Sequence, residues 1–270
     1  MRVAQVIDGY WPASFYGGPM LSSFQLSNAL ARAGCEVRVL TTDVNGPGSR
    51  LDVPTDRDVE LEGVRVRYTH SISDRPFAPA LLAQLPELVR WAEVVHLTSV
   101  YSFHVIPTLA GCRALDKPLV WSPRGSLQRW RDERRLALKA AWETVCRLAM
   151  PRRSALHVTA PPEAEASRER LAAPHVDVAL IANGVDLPQP PMAPPAAVGD
   201  AAIALLYIGR LHPIKGLENL LDACALLRDR GDRFSLVVAG TGEDHYVAAI
   251  EARIGDLKLV DHVRLVGHVA

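Results

Sequence analysis

Short apolar runs alternate with longer amphipathic stretches along most of the chain, and this alternation limits the possible folds more than any other feature. The first repeat predicts a strand over residues 3–7, a helix over about 19–33, a cap at Gly34 and a strand over 36–42. Further strands are predicted at 64–68, 94–97, 119–122, 156–159 and 176–181, with helices at 79–91, 104–115, 132–149 and 162–171. This order predicts an α/β fold with a parallel sheet and helices on both of its faces.

A proline-rich segment divides the chain. Five prolines lie between residues 187 and 199, and their missing amide donors prevent a helix or a central strand from continuing there. The alternation then restarts, with strands at 203–208, 234–239 and 263–266 and helices at about 216–229 and 243–254. We therefore predict a first domain over 1–187, a linker over 188–199 and the first part of a second parallel-sheet domain over 200–270.

Composition excludes several classes of protein. Hydrophobic residues make up 49% of the chain and charged residues 22%, which is ordinary for a globular protein. Thirty basic and thirty acidic residues balance, so the whole chain has no charge bias toward nucleic acid. Four separated cysteines without a C-x-x-C spacing predict neither a zinc site nor a disulfide framework. Met1 leads directly into a strand and no apolar run reaches membrane-span length, so we expect a soluble cytoplasmic protein that at most lies on a membrane.

The most informative local pattern is a strand, a cationic turn and a helix within residues 203–217. The apolar run 203–208 predicts a parallel strand covered on both faces, after which Arg210 and Lys215 precede the helix. Ligands of open α/β sheets bind beyond the carboxyl ends of strands, so the two cations and the helix amides favour a phosphate or diphosphate over solvated loop cations. Gly240 and Gly242 end the next strand at the same edge, either as a simple turn or as part of the same crevice.

A second glycine pair follows the first strand. Gly17 and Gly18 open the first helix, and Pro19 suits its first turn. The pair permits close approach of a ligand to the backbone, or serves as a flexible loop that enters the helix. The absence of G-x-G-x-x-G and of G-x-x-x-x-G-K-[ST] disfavours a dinucleotide fingerprint and a P-loop.

One segment carries a local positive charge. Residues 124–153 contain nine basic and three acidic residues, a net charge of +6, interleaved with an apolar stripe. The segment fits contact with an anionic membrane face, but the pattern is more common in a surface helix packed on its own sheet with solvated arginines, and that interpretation is favoured here. His96, His104, His157 and His175 are dispersed, so we expect structural roles for them and assign none to catalysis.

Six motifs occur in an order that matches a known family. They are Gly17-Gly18, Ser122-Pro-Arg-Gly125, Asn183-Gly-Val-Asp186, Gly209-Arg-Leu-His-Pro-Ile-Lys-Gly216, Ala239-Gly-Thr-Gly-Glu243 and Leu265-Val-Gly267. Over its whole length the chain resembles the retaining glycosyltransferases of family 4, which have the GT-B fold of two Rossmann-like domains. The Ser-Pro-Arg-Gly segment looks most like the members that build bacterial exopolysaccharide, capsule or O-antigen.

The resemblance implies a nucleotide-sugar donor in the cleft between the two domains. The donor diphosphate would lie between Arg210, Lys215 and the amides of Gly17 and Gly18, with Gly240 and Gly242 at the same site. Gly267, His268 and Val269 would lie near the nucleobase. The implied reaction transfers a sugar with retention to a saccharide or lipid-linked acceptor. Cations and helix amides would meet the charge of the leaving group without a metal or another cofactor, in agreement with the absence of a D-x-D sequence.

Two features depart from the family pattern. Arg124 stands where many relatives carry a histidine; it either contacts acceptor or donor oxygens or is an exposed cation at a strand end. The family's E-x7-E segment would follow the last predicted strand, and after Leu211 only Glu243 and Glu251 have that spacing, on an earlier helix. A truncated, non-catalytic remnant or a partner-dependent nucleotide-sugar-binding module is therefore the alternative.

Overall fold

The chain forms two compact units, Met1–Val185 and Asp186–Ala270. A computed structural model describes residues 1–13, 15, 17–73, 76–128, 135–171, 176–184 and 203–269. Each unit has a hydrophobic core of its own. The predicted linker at 188–199 and both predicted domain boundaries lie outside the described residues, so they remain predictions.

The first unit is built on one eight-stranded sheet. Its strands are β1 (Arg2–Val6), β2 (Glu36–Thr42), β3 (Asp58–Leu61), β4 (Val64–Thr69), β5 (Val94–Thr98), β6 (Leu119–Ser122), β7 (Ser154–Val158) and β8 (Val176–Leu180). Its helices are α1 (Gly18–Arg32), α2 (Pro79–Trp91), α3 (Val105–Ala114), α4 (Leu136–Ala149) and α5 (Pro161–Arg170). The strand order is β3-β4-β2-β1-β5-β6-β7-β8, and all neighbours are parallel except the antiparallel pair β3 and β4.

Helices cover both faces of this sheet, as the alternating sequence predicted. Successive side chains of a strand point to opposite faces. Val3 of β1 belongs to the cluster that contains Met20 of α1. The next residue, Ala4, belongs to the other cluster, with Leu81 of α2 and Leu109 of α3. The sheet is therefore the buried middle layer, and its carboxyl-terminal edge carries the loops.

Local sequence signals explain why several element bounds could be predicted. Helix α2 begins with Pro79 in its first turn, where a missing amide costs nothing. Its buried residues Leu81, Leu85 and Val89 repeat every four positions, which is one face of a helix. Helix α1 ends just before Gly34, whose φ of 85° is the left-handed conformation that follows many helices.

Strand β3 was not predicted from the sequence. It has only four residues and joins β4 through a tight hairpin at Glu62 and Gly63. Both hairpin residues have positive φ, 50° and 81°, as a type I′ turn requires. Because glutamate is an unusual first residue for such a turn, the hairpin signal is weak in the sequence.

The second unit contains a three-stranded parallel sheet. Its elements are β9 (Ile203–Ile208), a short 3-10 helix (Pro213–Lys215), α6 (Leu217–Asp229), β10 (Phe234–Ala239), α7 (Asp244–Asp256) and β11 (Val263–Gly267). The strand order is β11-β10-β9. Leu217 and Leu221 of α6 and Ile250 of α7 pack with Leu236 and Val238 of β10 in one core.

The prediction that residues 203–208 are covered on both faces is wrong. Leu205 and Tyr207 pack against the core, but Leu206 and Ile208 are 64% and 69% exposed. Strand β9 is one of the two edge strands of the described sheet. The core side chains of α6 and α7 pack with the face of β10 that carries Leu236, so among the described residues the opposite face is uncovered.

Candidate functional site

The turns that follow β9 and β10 in the second unit are paired with each other beyond the ends of the strands. The Gly209 amide donates to the Ala239 carbonyl at 3.0 Å, and the Leu211 amide donates to the Thr241 carbonyl at 2.8 Å. Leu211 and Gly242 form an additional parallel bridge. The backbone of Arg210 is therefore held on both sides by hydrogen bonds to the neighbouring turn.

Glycine is required at two positions of this paired turn. A Cβ atom on Gly240 would lie 1.9 Å from the Gly209 carbonyl oxygen, and one on Gly242 would lie 2.1 Å from the Leu211 carbonyl oxygen. Both neighbours are backbone atoms, which cannot rotate away. The Gly-Thr-Gly segment thus allows two backbones to approach closely, which a simple turn would not need.

The two predicted diphosphate ligands lie on the same short connection. Arg210 precedes the 3-10 helix, Lys215 ends it, and both are exposed. Gly216 adopts φ of 64° and starts α6, whose first turn has no side-chain cap. The unit therefore presents an arginine, a lysine and a helix amino terminus beyond the end of β9, the arrangement that favours anions.

The residues predicted near the nucleobase follow β11 at the same sheet edge. The Gly240 amide donates to the Gly267 carbonyl at 2.7 Å, which joins the third turn to the pair already described. His268 and Val269 come directly afterwards and are exposed. The structure thus brings Gly240, Gly242 and Gly267 together at one edge of the second sheet. Arg210, in the turn after β9, lies at the same edge.

Gly17 and Gly18 belong to the first unit. Gly17 has φ of 70° and Gly18 begins α1, and both are exposed. The Gly17 carbonyl accepts the Met20 amide at 3.1 Å, and no side chain caps the helix. The amino terminus of α1 therefore has the features that the sequence predicted for an anion-binding turn.

Arg124 is placed by a loop that follows β6. Arg124 and Gly125 both have positive φ, 53° and 77°, which is unusual for arginine. The Nη1 group of Arg124 donates to Oδ1 of Asn183 at 2.6 Å. Its Nε is buried and has no hydrogen-bond partner among the described residues. Burial lowers the pKa of Arg124, and the carboxylate of Glu163 opposes that shift. Arg124 is therefore a partly buried cation in a restricted conformation rather than a freely solvated one.

Glu163 fixes the loop that carries Arg124. Its carboxylate, 2% exposed, accepts the Gly125 amide at 2.7 Å through Oε1. The other oxygen accepts the Thr159 amide at 2.7 Å and the Thr159 hydroxyl at 2.8 Å. Glu163 lies in the first turn of α5, where its charge also suits the helix dipole. One buried carboxylate thus ties the loop after β6 to the loop after β7.

A histidine–serine relay, formed by His96, Ser122 and His157, joins the strands beneath Arg124. Ser122 Oγ lies 2.8 Å from Nε2 of His96 and 2.9 Å from Nδ1 of His157. Nε2 of His157 lies 3.1 Å from the carbonyl oxygen of Ile181. Because a carbonyl only accepts, His157 carries its hydrogen on Nε2, so Ser122 donates to Nδ1 and accepts from His96. Each hydrogen in the relay thereby has one assigned place.

The relay requires both histidines to be neutral, and their surroundings favour this. Burial, together with the nearby charges of Arg124 and His157, lowers the pKa of His96 to about 3. Burial also lowers the pKa of His157, more than its hydrogen bond to Ile181 raises it. A proton added to Nδ1 of His157 would remove the acceptor that Ser122 needs.

Sequence reasoning found Arg124 but not the residues that hold it. His96, His157 and Glu163 are far apart in sequence and match no motif. The available signal was positional, because His96 and His157 lie in strands of one parallel sheet, Glu163 lies in the helix that follows one of these strands, and such strands end at a common edge. A glutamate in the first turn of the helix predicted at 162–171 was also a signal, because acidic side chains are favoured at that end of a helix.

Comparisons with known proteins agree with this architecture. Residues 16–189 match the model of Glycosyltransferase Family 4, and residues 196–270 match the model of Glycosyl transferases group 1. The chain belongs to glycosyltransferase family 4. No curated protein matched the sequence.

Solved structures similar to this family 4 chain have the GT-B glycosyltransferase fold that the sequence predicted. HepE of Anabaena in complex with UDP has a TM-score of 0.71 and 16% identity, over 100% of this chain and 70% of that one. A glycosyltransferase of Rickettsia africae has a TM-score of 0.63 and 12% identity, over 100% and 68%. WaaG, described as a glycosyltransferase of lipopolysaccharide biosynthesis, has a TM-score of 0.57 and 15% identity, over 99% and 70%.

Proposed function

We propose that this family 4 chain transfers a glycosyl unit from a nucleotide sugar to a saccharide or lipid-linked acceptor, with retention of the anomeric configuration. The observation that carries the proposal is the family match over residues 16–189. Structures of the similar HepE contain UDP and UDP-glucose, which supports a nucleotide-sugar donor. The likeness to WaaG and the Ser122–Gly125 motif support a role in the synthesis of cell-surface polysaccharide.

Arg210 and Lys215 are the proposed ligands of the donor diphosphate. As the bond between the anomeric carbon and the diphosphate oxygen breaks, negative charge grows on the leaving group. Fixed cations and helix amides that meet this charge lower the barrier to transfer. This chemistry needs no metal, and we propose a metal-independent reaction. The paired turns support the role of Arg210, because they hold its backbone before the ligand arrives.

Calorimetry with UDP-glucose and GDP-mannose tests the donor site. A charge-assisted hydrogen bond contributes about 1.5–3 kcal/mol, so Arg210→Ala and Lys215→Ala should each weaken binding of the recognised nucleotide sugar roughly 10- to 100-fold. Arg230→Ala is the matched control, since Arg230 is an exposed arginine of the same unit at the far end of α6, paired with Asp232. Unchanged affinity in both site variants would rule out the diphosphate assignment. Binding without nucleotide release in the presence of acceptors would favour the partner-dependent module.

We also propose that the enzyme lies at the inner face of the cytoplasmic membrane and contacts it through α4. Five residues at helical spacing form an exposed apolar stripe on this helix: Ala137, Leu138, Ala141, Val145 and Leu148. Leu138 and Leu148 are 63% and 71% exposed. The other side of α4 is anchored, since the Trp142 indole donates to the Val100 carbonyl at 2.8 Å and Cys146 is buried.

The charges around this stripe fit an anionic lipid surface. Four arginines near the stripe are exposed: Arg135, Arg147, Arg152 and Arg153. Glu143, the acidic residue of α4, is buried, and its Oε1 lies 3.5 Å from Nη1 of Arg170. Residues 129–134 of the predicted basic segment lie outside the described residues. Within the described ranges no helix is long and apolar enough to cross a membrane. Apolar side chains between cations are typical of a helix that lies on a membrane surface.

Co-sedimentation with vesicles tests this contact. Wild type should bind vesicles of phosphatidylcholine and phosphatidylglycerol better than phosphatidylcholine alone, and the difference should shrink with salt. Replacing Leu138 and Leu148 together by serine should weaken binding by about tenfold or more, because each buried leucine contributes about 1.5–3 kcal/mol. Leu226→Ser is the matched control, since Leu226 of α6 is equally exposed at 66%. Equal binding by all three proteins would exclude α4 as the membrane contact.

A further inference from the structure

The topology of the first sheet marks one crevice as a ligand site. From β1 the chain moves to β2 on one side, whereas from β5 it moves to β6 on the other, and β1 and β5 are neighbours. This is a topological switch point, and open α/β sheets bind ligands beyond the carboxyl ends of the strands there. The residues that follow β1 and β5 therefore determine what the crevice accepts.

The carboxylate of Asp8, which accepts hydrogen bonds from two serine hydroxyls, lies at this switch point. Asp8 follows β1 and is half-buried. The Ser99 hydroxyl, directly after β5, donates to Oδ1 of Asp8 at 3.1 Å, and the Ser102 hydroxyl donates to Oδ2. Ser99 has φ of 80°, a conformation that costs free energy in a serine and is typical of functional sites. The loop after β5 is thus held against Asp8 in a strained conformation.

No cation among the residues that the structure describes neutralises this carboxylate. Among the described residues, no lysine, arginine or histidine lies within 4.0 Å of Asp8. His104 lies nearby and is fully buried, and burial lowers its pKa more strongly than the charge of Asp8 raises it, so its imidazole is neutral at pH 7. A carboxylate has about four acceptor positions, and the two serine hydroxyls use two of them. Asp8 therefore retains both charge and acceptor capacity.

Asp43 shows what a purely structural carboxylate looks like at the same sheet edge. It follows β2, is 3% exposed and accepts the Ser71 amide at 2.9 Å. Nη1 of Arg50 lies 3.3 Å from Oδ1 of Asp43, and Nδ1 of His70 lies 2.8 Å from Oδ2. Cationic and polar partners therefore surround this carboxylate. Asp8 differs in its exposure, in its lack of a cation and in its place at the switch point.

We propose that Asp8 binds the acceptor, by accepting a hydrogen bond from a sugar hydroxyl beside the one that becomes glycosylated, and that the acceptor is a neutral, polyhydroxylated saccharide at this end. An uncompensated carboxylate repels phosphate and attracts hydroxyl groups, so the crevice suits sugar rather than the donor diphosphate. The inference rests on the proposed glycosyl transfer.

Glycosyl transfer exchanges one bond at the anomeric carbon for another. The acceptor oxygen forms a bond to the anomeric carbon while the bond from that carbon to the diphosphate oxygen breaks. The electron pair of the broken bond leaves with the diphosphate, which also takes the hydroxyl proton. Asp8 orients the acceptor through its hydrogen bond to the neighbouring hydroxyl and takes no part in the proton transfer, which is a contribution of position and orientation.

Kinetics of an isosteric variant test the inference. Wild type is first screened with UDP-glucose, UDP-galactose, UDP-N-acetylglucosamine and GDP-mannose against a panel of octyl glycosides, to find a productive pair. With that pair, Asp8→Asn should lower kcat/KM for the glycoside roughly 10- to 100-fold, since a hydrogen bond to a charged group contributes about 1.5–3 kcal/mol. The affinity for the donor, measured by calorimetry, should not change.

An isosteric variant of the structural carboxylate separates acceptor binding from loop structure. Asp43→Asn should lower the melting temperature without changing KM for the glycoside. An Asp8→Asn enzyme with wild-type acceptor kinetics would overturn the inference and leave the proposed function intact. A wild type that neither binds any of the donors nor glycosylates any of the glycosides would instead refute the proposed function, and the inference with it.

Discussion

Gly240 and Gly242 occupy positions in the second unit where any side chain would meet the backbone of the neighbouring turn. Ala at either position would place a methyl group about 2 Å from a carbonyl oxygen, 1.9 Å at Gly240 and 2.1 Å at Gly242. The paired turns would have to separate, with loss of hydrogen bonds such as that from Leu211 to Thr241. We expect each substitution to lower the free energy of unfolding by roughly 2 kcal/mol or more, measured by urea denaturation of the second unit.

A third glycine supplies a control of opposite sign. Gly255 lies inside α7, has ordinary helical φ, and a Cβ there meets nothing within 4 Å. Gly255→Ala should therefore stabilise the unit by about 0.5–1 kcal/mol, because alanine loses less backbone freedom in a helix. If Gly240→Ala raised the free energy of unfolding as Gly255→Ala is expected to do, the two turns would not approach as closely as the structure shows.

At the level of elements, the histidine–serine relay makes the first sheet sensitive to acid. The pKa of His96, lowered to about 3, lies below the ordinary value of 6.5, and the pKa values of His104 and His157 are also lowered by burial. The unfolded chain therefore takes up protons as pH falls below about 6.5 while the folded chain does not, so stability is full above this pH and declines below it. Between pH 6.5 and 5 we expect a loss of roughly 2 kcal/mol from His96, measured by denaturant titration at each pH.

Replacement of His96 tests the origin of this loss. The amide of Gln can donate to Ser122 in place of Nε2 of His96 but takes up no proton. His96→Gln should thus reduce the slope of stability against pH below 6.5, whereas His268→Gln, which removes an exposed imidazole, serves as the control. An unaltered slope in His96→Gln would show that the relay is not the acid-sensitive element.

The relay also shows where sequence reasoning stops. Helix α2 and strand β10 have the predicted bounds because their patterns are local: a proline at the first turn, apolar residues at fixed spacing and a glycine after the last strand residue. His96 and His157 are isolated in sequence, and only the parallel order of β5, β6 and β7 brings them to the same serine. Periodicity predicts which residues are buried, but it does not predict which buried polar groups meet.

The exposure of one face of β9 could not be predicted from the local sequence either, because it depends on which elements of the unit pack on the sheet. An apolar run is predicted to be buried on both faces because most such strands lie within covered parallel sheets. Whether Leu206 is covered is decided by the elements packed around the sheet, and the described helices pack on the other face. The run of apolar residues alone carries no information on this point.

At the scale of the molecule, the two units should differ in local stability. The first has an eight-stranded sheet with cores on both faces, whereas the second has three strands and one described core. Burial of apolar area is the main source of stability, so the second unit should open at a lower free energy. In native-state hydrogen exchange, amides of β1 and β5, which pair on both sides, should exchange most slowly. In the second unit, amides of β9 and β11, at the two edges of the described sheet, should exchange faster than those of β10. Equal exchange of β1 and β9 through one common opening would contradict two separately cored units.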